Sequence, residues 1–216
     1  MSTRYEARGI QAAFEPGSRG RVLRNWLGIK RVRDMAEAES QALQLAQEQA
    51  IERFTTDHRF SAKDICDLHR LWLEPIYAWA GEFRSVDLSK GDFRFANAAQ
   101  IPRLMGELER AALVRFTPCK PQDVERLAEA LAVVHAELIL IHPFRDGNGR
   151  LARMLAMLMG LQAGLPPLDF SPMLDRGKRT YIAGIQAALR SDYGILTDLF
   201  AKTIDRTLRS AASSGR

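Results

Sequence analysis

Apolar residues recur three and four positions apart through most of this chain, and that spacing sets its expected architecture. Leu43, Ala46, Ala50, Ile51 and Phe54 fall on one side of a helix expected from Met35 to Phe54. Glu37, Glu39, Glu48 and Glu52 read as its wet face. Ser61 and Asp64 have the spacing of an N-cap and an N3 carboxylate, and they open a helix with Ile65, Leu68, His69, Trp72 and Leu73 on one side. Pro75 should end it. Asn97 can cap a helix reaching about Arg115, with Pro102 tolerated in its first turn. Val124, Leu127, Ala128, Leu131, Val134, Leu138 and Ile141 then mark a strongly apolar helix that runs into His142. Leu151 to Gln162 is apolar almost all round, which predicts a helix in the centre of the core. Gly164-Leu165-Pro166-Pro167 stops it. Ser171-Pro172 opens a further helical region, completed by Tyr181 to Arg190 and Ile195 to Leu208.

One stretch breaks this period. Phe83 to Ser89 alternates apolar and polar, Lys90-Gly91-Asp92 is a turn signal, and Phe93-Arg94-Phe95 alternates again. That predicts one β-hairpin, whose free edge could take an extended peptide as an added strand. The expectation is a mainly α, single helical domain over residues 21–208, with its hairpin at about 84–96. A flexible segment, 1–20, precedes it and a disordered tail, 209–216, follows. Trp26 is expected to pin the N-terminal segment to the core, and His69 to be a hydrogen-bonded core histidine rather than a ligand.

Composition narrows the function classes. The 216 residues are 46% hydrophobic and carry a formal charge of +5, with a pI near 9.5. The basic excess forms no run with interleaved aromatics, so direct nucleic-acid binding is not expected. Cys66 and Cys119 stand alone, without the spacing of a disulfide framework or a zinc site, as suits a reducing compartment. With no leader-like segment and no run approaching 18 apolar residues, a cytoplasmic protein without a membrane span is expected.

The chemistry gathers in His142-Pro143-Phe144-Arg145-Asp146-Gly147-Asn148-Gly149-Arg150. Gly147-Asn148-Gly149 can turn successive backbone N–H groups into one concavity, at the positive end of the helix that begins there. That is an anion hole for a phosphate. Arg150 and Arg153, three apart on the emerging helix, share a face and can grip further phosphate oxygens. Asp146 supplies a carboxylate beside the hole, and Mg²⁺ needs little more from protein when substrate phosphates and water fill its shell. His142 titrates near neutrality and is suited to take a proton from an attacking hydroxyl. Phe144 should turn inward and anchor the loop. A rival reading takes Leu138–Ile141 as a strand and Gly147 to Ala152 as a dinucleotide fingerprint, with Asp169 as its acidic residue. Four residues then intervene before the first glycine, the run-up has helical spacing and no parallel strands follow, so that reading fails.

His142 to Arg153 resembles the signature of the Fic (Fic/Doc) family, H-P-F-x-[D/E]-G-N-G-R with a second arginine three residues on, and departs from it at no fixed position. Trp79-Ala80-Gly81-Glu82-Phe83-Arg84 with the following hairpin, and Val22 to Ile29, extend the similarity over most of residues 20–205. The resemblance implies a Fic-type helical domain whose hairpin is a flap, and transfer of AMP from ATP, with Mg²⁺, to a Tyr, Thr or Ser hydroxyl of a target protein. It implies His142 as general base and Asp146 as Mg²⁺ ligand. Gly147, Asn148 and Gly149 would form the α-phosphate hole, with Arg150 and Arg153 on the outer phosphates. Flap residues Ser85, Val86, Asp87, Leu88, Ser89, Lys90, Phe93 and Phe95 would hold the target segment by strand addition. Gly147 favours nucleotidyl over phosphoryl transfer. The alternatives are transfer of another nucleotide, phosphocholine or phosphate, or a nucleotide-binding regulatory module without turnover. Many relatives carry an inhibitory helix with [S/T]-x-x-x-E-[G/N]; here only Ser2 to Glu6 has the spacing, and Ala7 follows. A toxin restrained by a separate antitoxin, whose glutamate reaches Arg153, is therefore expected. By family analogy its target would be a type II topoisomerase subunit (DNA gyrase or topoisomerase IV).

Overall fold

The computed structural model describes residues 6–7, 11, 13–91, 93–174 and 177–214. Strands β1 (Glu6–Ala7), β2 (Leu88–Lys90) and β3 (Phe93–Arg94) form a small antiparallel sheet in the order β1-β2-β3. Helices α1 (Val32–Arg53), α2 (Ala62–Leu73), α3 (Ile101–Leu108), α4 (Val114–Phe116), α5 (Val124–Ile141), α6 (Asn148–Gln162), α7 (Ser171–Leu174), α8 (Lys178–Ala188) and α9 (Gly194–Ser214) make up the rest. The fold is mainly α with one hairpin, as the periodicity implied. A π-turn at Glu109–Leu113 joins α3 to α4 within the single helix expected after Asn97. The Asn97 side chain does cap that segment, accepting from the Ala99 N–H. No helix among the described residues is long and apolar enough to cross a membrane.

The chain divides into two compact units. The first comprises Met1–Arg53, Ala62–Gly106 and Ile141–Leu151. Its core gathers Val22, Met35, Ala46, Trp72, Leu73, Ile76, Tyr77 and Ala80, where α1 packs on α2. Trp72 and Leu73 are buried because α2 carries its large apolar residues on one face. The second unit comprises Phe54–Ser61, Glu107–Leu140 and Ala152–Arg216. Its core includes Leu131, Met154, Leu155, Leu196, Phe200 and Ile204. Gln162 ties its loops together by donating to the His58 carbonyl and accepting from the Cys119 N–H.

Several expectations need correction. Trp26 is 69% exposed, so its ring pins nothing. The anchoring is done by its backbone N–H, which donates to the Ile76 carbonyl, while the Asn25 side chain, bonded to Leu23 and Ile29, closes the turn around it. The first flap strand starts at Leu88 rather than Phe83, because Arg84 is drawn inward and its N–H bonds to Pro143 instead of a neighbouring strand. The tail expected at 209–216 is helical through Ser214, as the last turns of α9. Residues 6–7, expected to be flexible, pair with the flap: Glu6 opposite Ser89 and Ala7 opposite Leu88. The β2 edge expected to be free is thus already occupied. Asp92 of the expected turn, and residues 2–5 of the weighed inhibitory spacing, lie outside the described residues.

Candidate active site

The loop 142–147 and the first turn of α6 belong to the first unit, and short-range chemistry accounts for their shape. Asn148 is fully buried and stitches the loop closed, its Oδ1 accepting from the Phe144 N–H and its Nδ2 donating to the Phe144 carbonyl. Gly147 has φ +83°, and a Cβ there would stand 2.8 Å from Trp72 Cζ3. Only glycine fits that position. Its N–H donates to Asp146 Oδ1 at 2.6 Å, and its carbonyl accepts from the N–H groups of Arg150 and Leu151 as α6 starts. The first N–H groups of a helix have no acceptor within it, so α6 presents donors and the positive end of its dipole at this loop.

Phe144 is buried and its ring stacks on His69 with centroids 3.9 Å apart, the inward anchor expected. His69 does more than fill the core. Its Nδ1 accepts from the Gly81 N–H and its Nε2 donates to the Asp146 carbonyl, so one neutral imidazole fastens two loops. Burial pushes its pKa down to about 4, which keeps it neutral, and the two hydrogen bonds set its tautomer. His142 is buried and has positive φ (+51°), and its ring stacks on Phe95 of the flap segment with centroids 3.7 Å apart. Flap and loop therefore meet at the imidazole expected to act as base.

Arg84 couples the same two elements. Its guanidinium is fully buried and donates to the carbonyls of His142 (2.7 Å), Val86 (2.6 Å) and Ala96 (2.5 Å), with Ile141 at 3.5 Å. Burial pushes its pKa down to about 10, so it stays cationic at neutral pH. Arg145, buried, donates to the Gln11 carbonyl. In the flap, Val86 and Leu88 point inward, whereas Ser85, Asp87 and Lys90 are exposed and Ser89, Phe93 and Phe95 half-buried. Asp87 accepts from the Ala98 N–H and from Asn97 Nδ2, which fastens the flap's start to the following helical turn.

Arg150 holds a surprise. Its Nη1 donates to Glu39 Oε2 at 2.6 Å, while its Nη2 stands 3.7 Å from Asp146 Oδ1 and its guanidinium lies 4.5 Å over the Trp72 ring. Glu39 is therefore no part of a wet face. Its other oxygen accepts from Tyr77 Oη at 2.6 Å, and burial, then the Glu39 carboxylate, pushes that phenol far above its ordinary pKa. The remaining acidic residues of α1's expected wet face, Glu37, Glu48 and Glu52, are exposed as anticipated. Arg153 follows on α6 and lies in the second unit, half-buried. There its charge, after burial itself, helps push His135 down to about 3.

No group of three or more His, Cys, Asp and Glu side chains is gathered for a metal among the described residues. Asp146 offers one partly exposed carboxylate beside the helix start. One carboxylate with substrate phosphates and water suffices for Mg²⁺, whereas Zn²⁺ sites are built from three or four side-chain ligands. The residues present fit a nucleotide-borne Mg²⁺. Sequence reasoning missed Glu39, Arg84 and Gln11; only Arg84, inside the stretch shared with the family, carried any signal.

Comparison with known proteins agrees with this geometry. A sequence model of the Fic/DOC family matches residues 59–159. The probable protein adenylyltransferase Fic of Salmonella typhimurium is 34% identical over 150 residues, which cover 66% of this chain and 70% of that protein. The protein adenylyltransferase VbhT of Bartonella schoenbuchensis is 28% identical over 87% of this chain, but that match spans only 37% of VbhT. Among solved structures, the N-terminal Fic domain of a Bep effector protein from Bartonella quintana with bound ADP superposes with a TM-score of 0.70. It is 26% identical and is matched over 88% of this chain and 92% of its own. BepC of Bartonella tribocorum with bound AMPPNP, at 24% identity and a TM-score of 0.67 over 84% of this chain and 91% of its own, shares the fold.

Proposed function

The chain belongs to the Fic/DOC family and is a protein adenylyltransferase that uses ATP, and from that premise we propose how its own residues carry out the transfer. His142 takes the proton from a target hydroxyl, whose oxygen attacks the α-phosphorus. The new P–O bond joins AMP to the target as a phosphodiester, and the bond to the β-phosphate oxygen breaks to release pyrophosphate. The N–H groups of Asn148 and Gly149 at the start of α6, joined by that of Gly147 when it turns from Asp146, hold the α-phosphate by the helix-terminus chemistry described above. Arg150 and Arg153 serve the outer phosphates. Asp146 would hold Mg²⁺, whose charge neutralises the phosphate oxygens when bound. The observation that carries this reading is the stacking of His142 on Phe95, because it joins the one titratable base of the loop to the flap that receives the target.

The target segment adds to the flap as an extended strand in place of residues 6–7, which pair there in its absence, with Ser85, Val86, Asp87, Leu88, Ser89, Lys90, Phe93 and Phe95 forming the receiving surface. We further propose a toxin restrained by a separate small antitoxin that brings a glutamate to Arg153, in keeping with the lack of an inhibitory helix motif in these 216 residues. A type II topoisomerase subunit as target rests on family analogy alone. A reducing cytoplasm suits Cys66 and Cys119, free thiols whose burial raises their pKa to about 11. ATP carrying label at the α-phosphate, incubated with the protein, Mg²⁺ and bacterial lysate, tests the reaction. Label on lysate proteins that persists in His142→Ala would overturn the assigned base, and label arriving only from the γ-phosphate would identify a kinase. Co-expression with a glutamate-bearing partner should silence labelling, and a partner without effect would overturn the restraint.

A further inference from the structure

Glu39 is the one acidic residue of α1 that is turned inward among those expected on its wet face, and it is held there from two sides. Tyr77 Oη donates to its Oε1, and Trp72 Nε1 donates to its backbone carbonyl at 2.9 Å. The same Trp72 ring lies beneath the Arg150 guanidinium. Arg150 thus rests on a fixed aromatic face between two carboxylates, and the distances say which one has it. Nη1 is hydrogen-bonded to Glu39 at 2.6 Å, whereas Nη2 stops 3.7 Å short of Asp146, beyond hydrogen-bond reach. Nε and Nη2 have no hydrogen-bond partner among the described residues. An arginine in that state would close on the nearer remaining carboxylate if Glu39 lost its charge, forming a direct charge-assisted bond.

We propose that Glu39 is a positioning residue: it holds Arg150 off Asp146 and so leaves the Asp146 carboxylate available to a divalent cation. A guanidinium and a metal ion compete for the same oxygens, and Glu39 decides that competition from a helix 111 residues away in sequence. The inference rests on the reading that Asp146 meets the nucleotide-borne cation, and its test separates the two.

Mn²⁺ binding is read from the free-ion electron paramagnetic resonance signal with the protein in saturating excess over AMPPNP, so that no free nucleotide takes the ion, and with no turnover required. Glu39→Gln keeps the side chain's shape and an acceptor for Tyr77 but removes the charge. It should weaken Mn²⁺ by about tenfold, the low end of what removing a metal site's outer partner does. Adding Arg150→Gln to Glu39→Gln should restore most of that loss, which a merely structural defect would not allow. Tyr77→Phe, which leaves the charge of Glu39 in place, should lower thermal stability and leave Mn²⁺ affinity within about twofold of wild type. Wild-type affinity in Glu39→Gln, or no recovery in the double variant, would overturn the proposal. If Glu39→Gln does not fold, Arg150→Gln alone decides: a tenfold gain in Mn²⁺ affinity would mean that Arg150 already competes with the cation, against the proposal, and an unchanged affinity supports it. Asp146→Asn should weaken Mn²⁺ at least as much as Glu39→Gln does, in every background, down to what the nucleotide phosphates hold by themselves. Wild-type affinity there would defeat the reading of Asp146 itself, whatever Glu39 does.

Discussion

Replacing Arg84 by Met removes a buried cation that three backbone carbonyls share at 2.7 Å or less, those of His142, Val86 and Ala96. Hydrogen bonds to a charged group contribute roughly 1.5–3 kcal/mol each, and each buried carbonyl left unpaired costs about 1–3 kcal/mol. Against that loss stands the relief of no longer burying a guanidinium, which is several kcal/mol in the same environment. The net should be a destabilisation of about 3–5 kcal/mol, the size seen when one side of a buried charged network is removed. That is a large part of the 5–15 kcal/mol typical of a domain. Urea unfolding followed by tryptophan fluorescence measures it, because Trp72 lies in the core of the same unit. Arg84→Lys keeps the charge but loses the planar fork, and should fall between wild type and Arg84→Met. Label transfer should drop at least tenfold in folded Arg84→Met, since the carbonyl of the His142 residue is no longer held. A destabilisation below about 1 kcal/mol with unchanged transfer would show that Arg84 does not join flap to loop.

Other expectations follow from single contacts. His69 titrates near 4 in the fold and near 6.5 when exposed, so the unfolded chain takes up the proton first as pH falls. Stability is then complete above pH 6.5 and is lost between 6.5 and 4, by about 3 kcal/mol. Melting temperatures at pH 7 and 4.5 should show that loss, to which buried His135 adds; a His69→Asn variant that loses as much on acidification would refute the assignment. Gly147→Ala forces a side chain into φ +83° and against the Trp72 ring, so it should cost roughly 2–4 kcal/mol and much of the transfer rate. A melting temperature within a degree of wild type would contradict the geometry. Deleting residues 1–12 removes the backbone pairing at Ser89 and Leu88 and the Gln11 bonds to Ser85 and Arg145, which opens the β2 edge. Labelling of targets should rise severalfold and be suppressed again by a peptide of residues 2–12. An unchanged or lower rate would mean that targets do not use that edge.

What was legible in sequence, and what was not, divides along range. The helix over Val124–Ile141 and the one over Asn148–Gln162 announce themselves through local periodicity, and Gly147-Asn148-Gly149 through local backbone freedom. The inward turn of Phe144 is local too. Glu39 reads as solvent-facing because a glutamate on an amphipathic helix normally faces water, and its partner Arg150 is 111 residues on. The apolar face of α2 places His69 in the core, but no pattern in that helix says that it bonds Asp146, 77 residues away. Arg84 sits in an alternating stretch that reads as strand, and only the carbonyls converging on it from residues 86, 96, 141 and 142 explain its inward turn. The pairing of residues 6–7 with the flap is likewise invisible to any local pattern. Trp26 shows the opposite error: a large apolar residue suggests burial, yet the backbone beside it makes the attachment.

By the mechanism proposed above, His142 of this loop drives AMP onto a protein hydroxyl. The most direct measurement is mass spectrometry of lysate proteins after incubation with the protein, ATP and Mg²⁺, beside a His142→Ala control. Side chains of at least one target should gain the mass of an AMP group with wild type and none with the variant. Modified targets in equal yield with both proteins, or a gain equal to a lone phosphate, would contradict it.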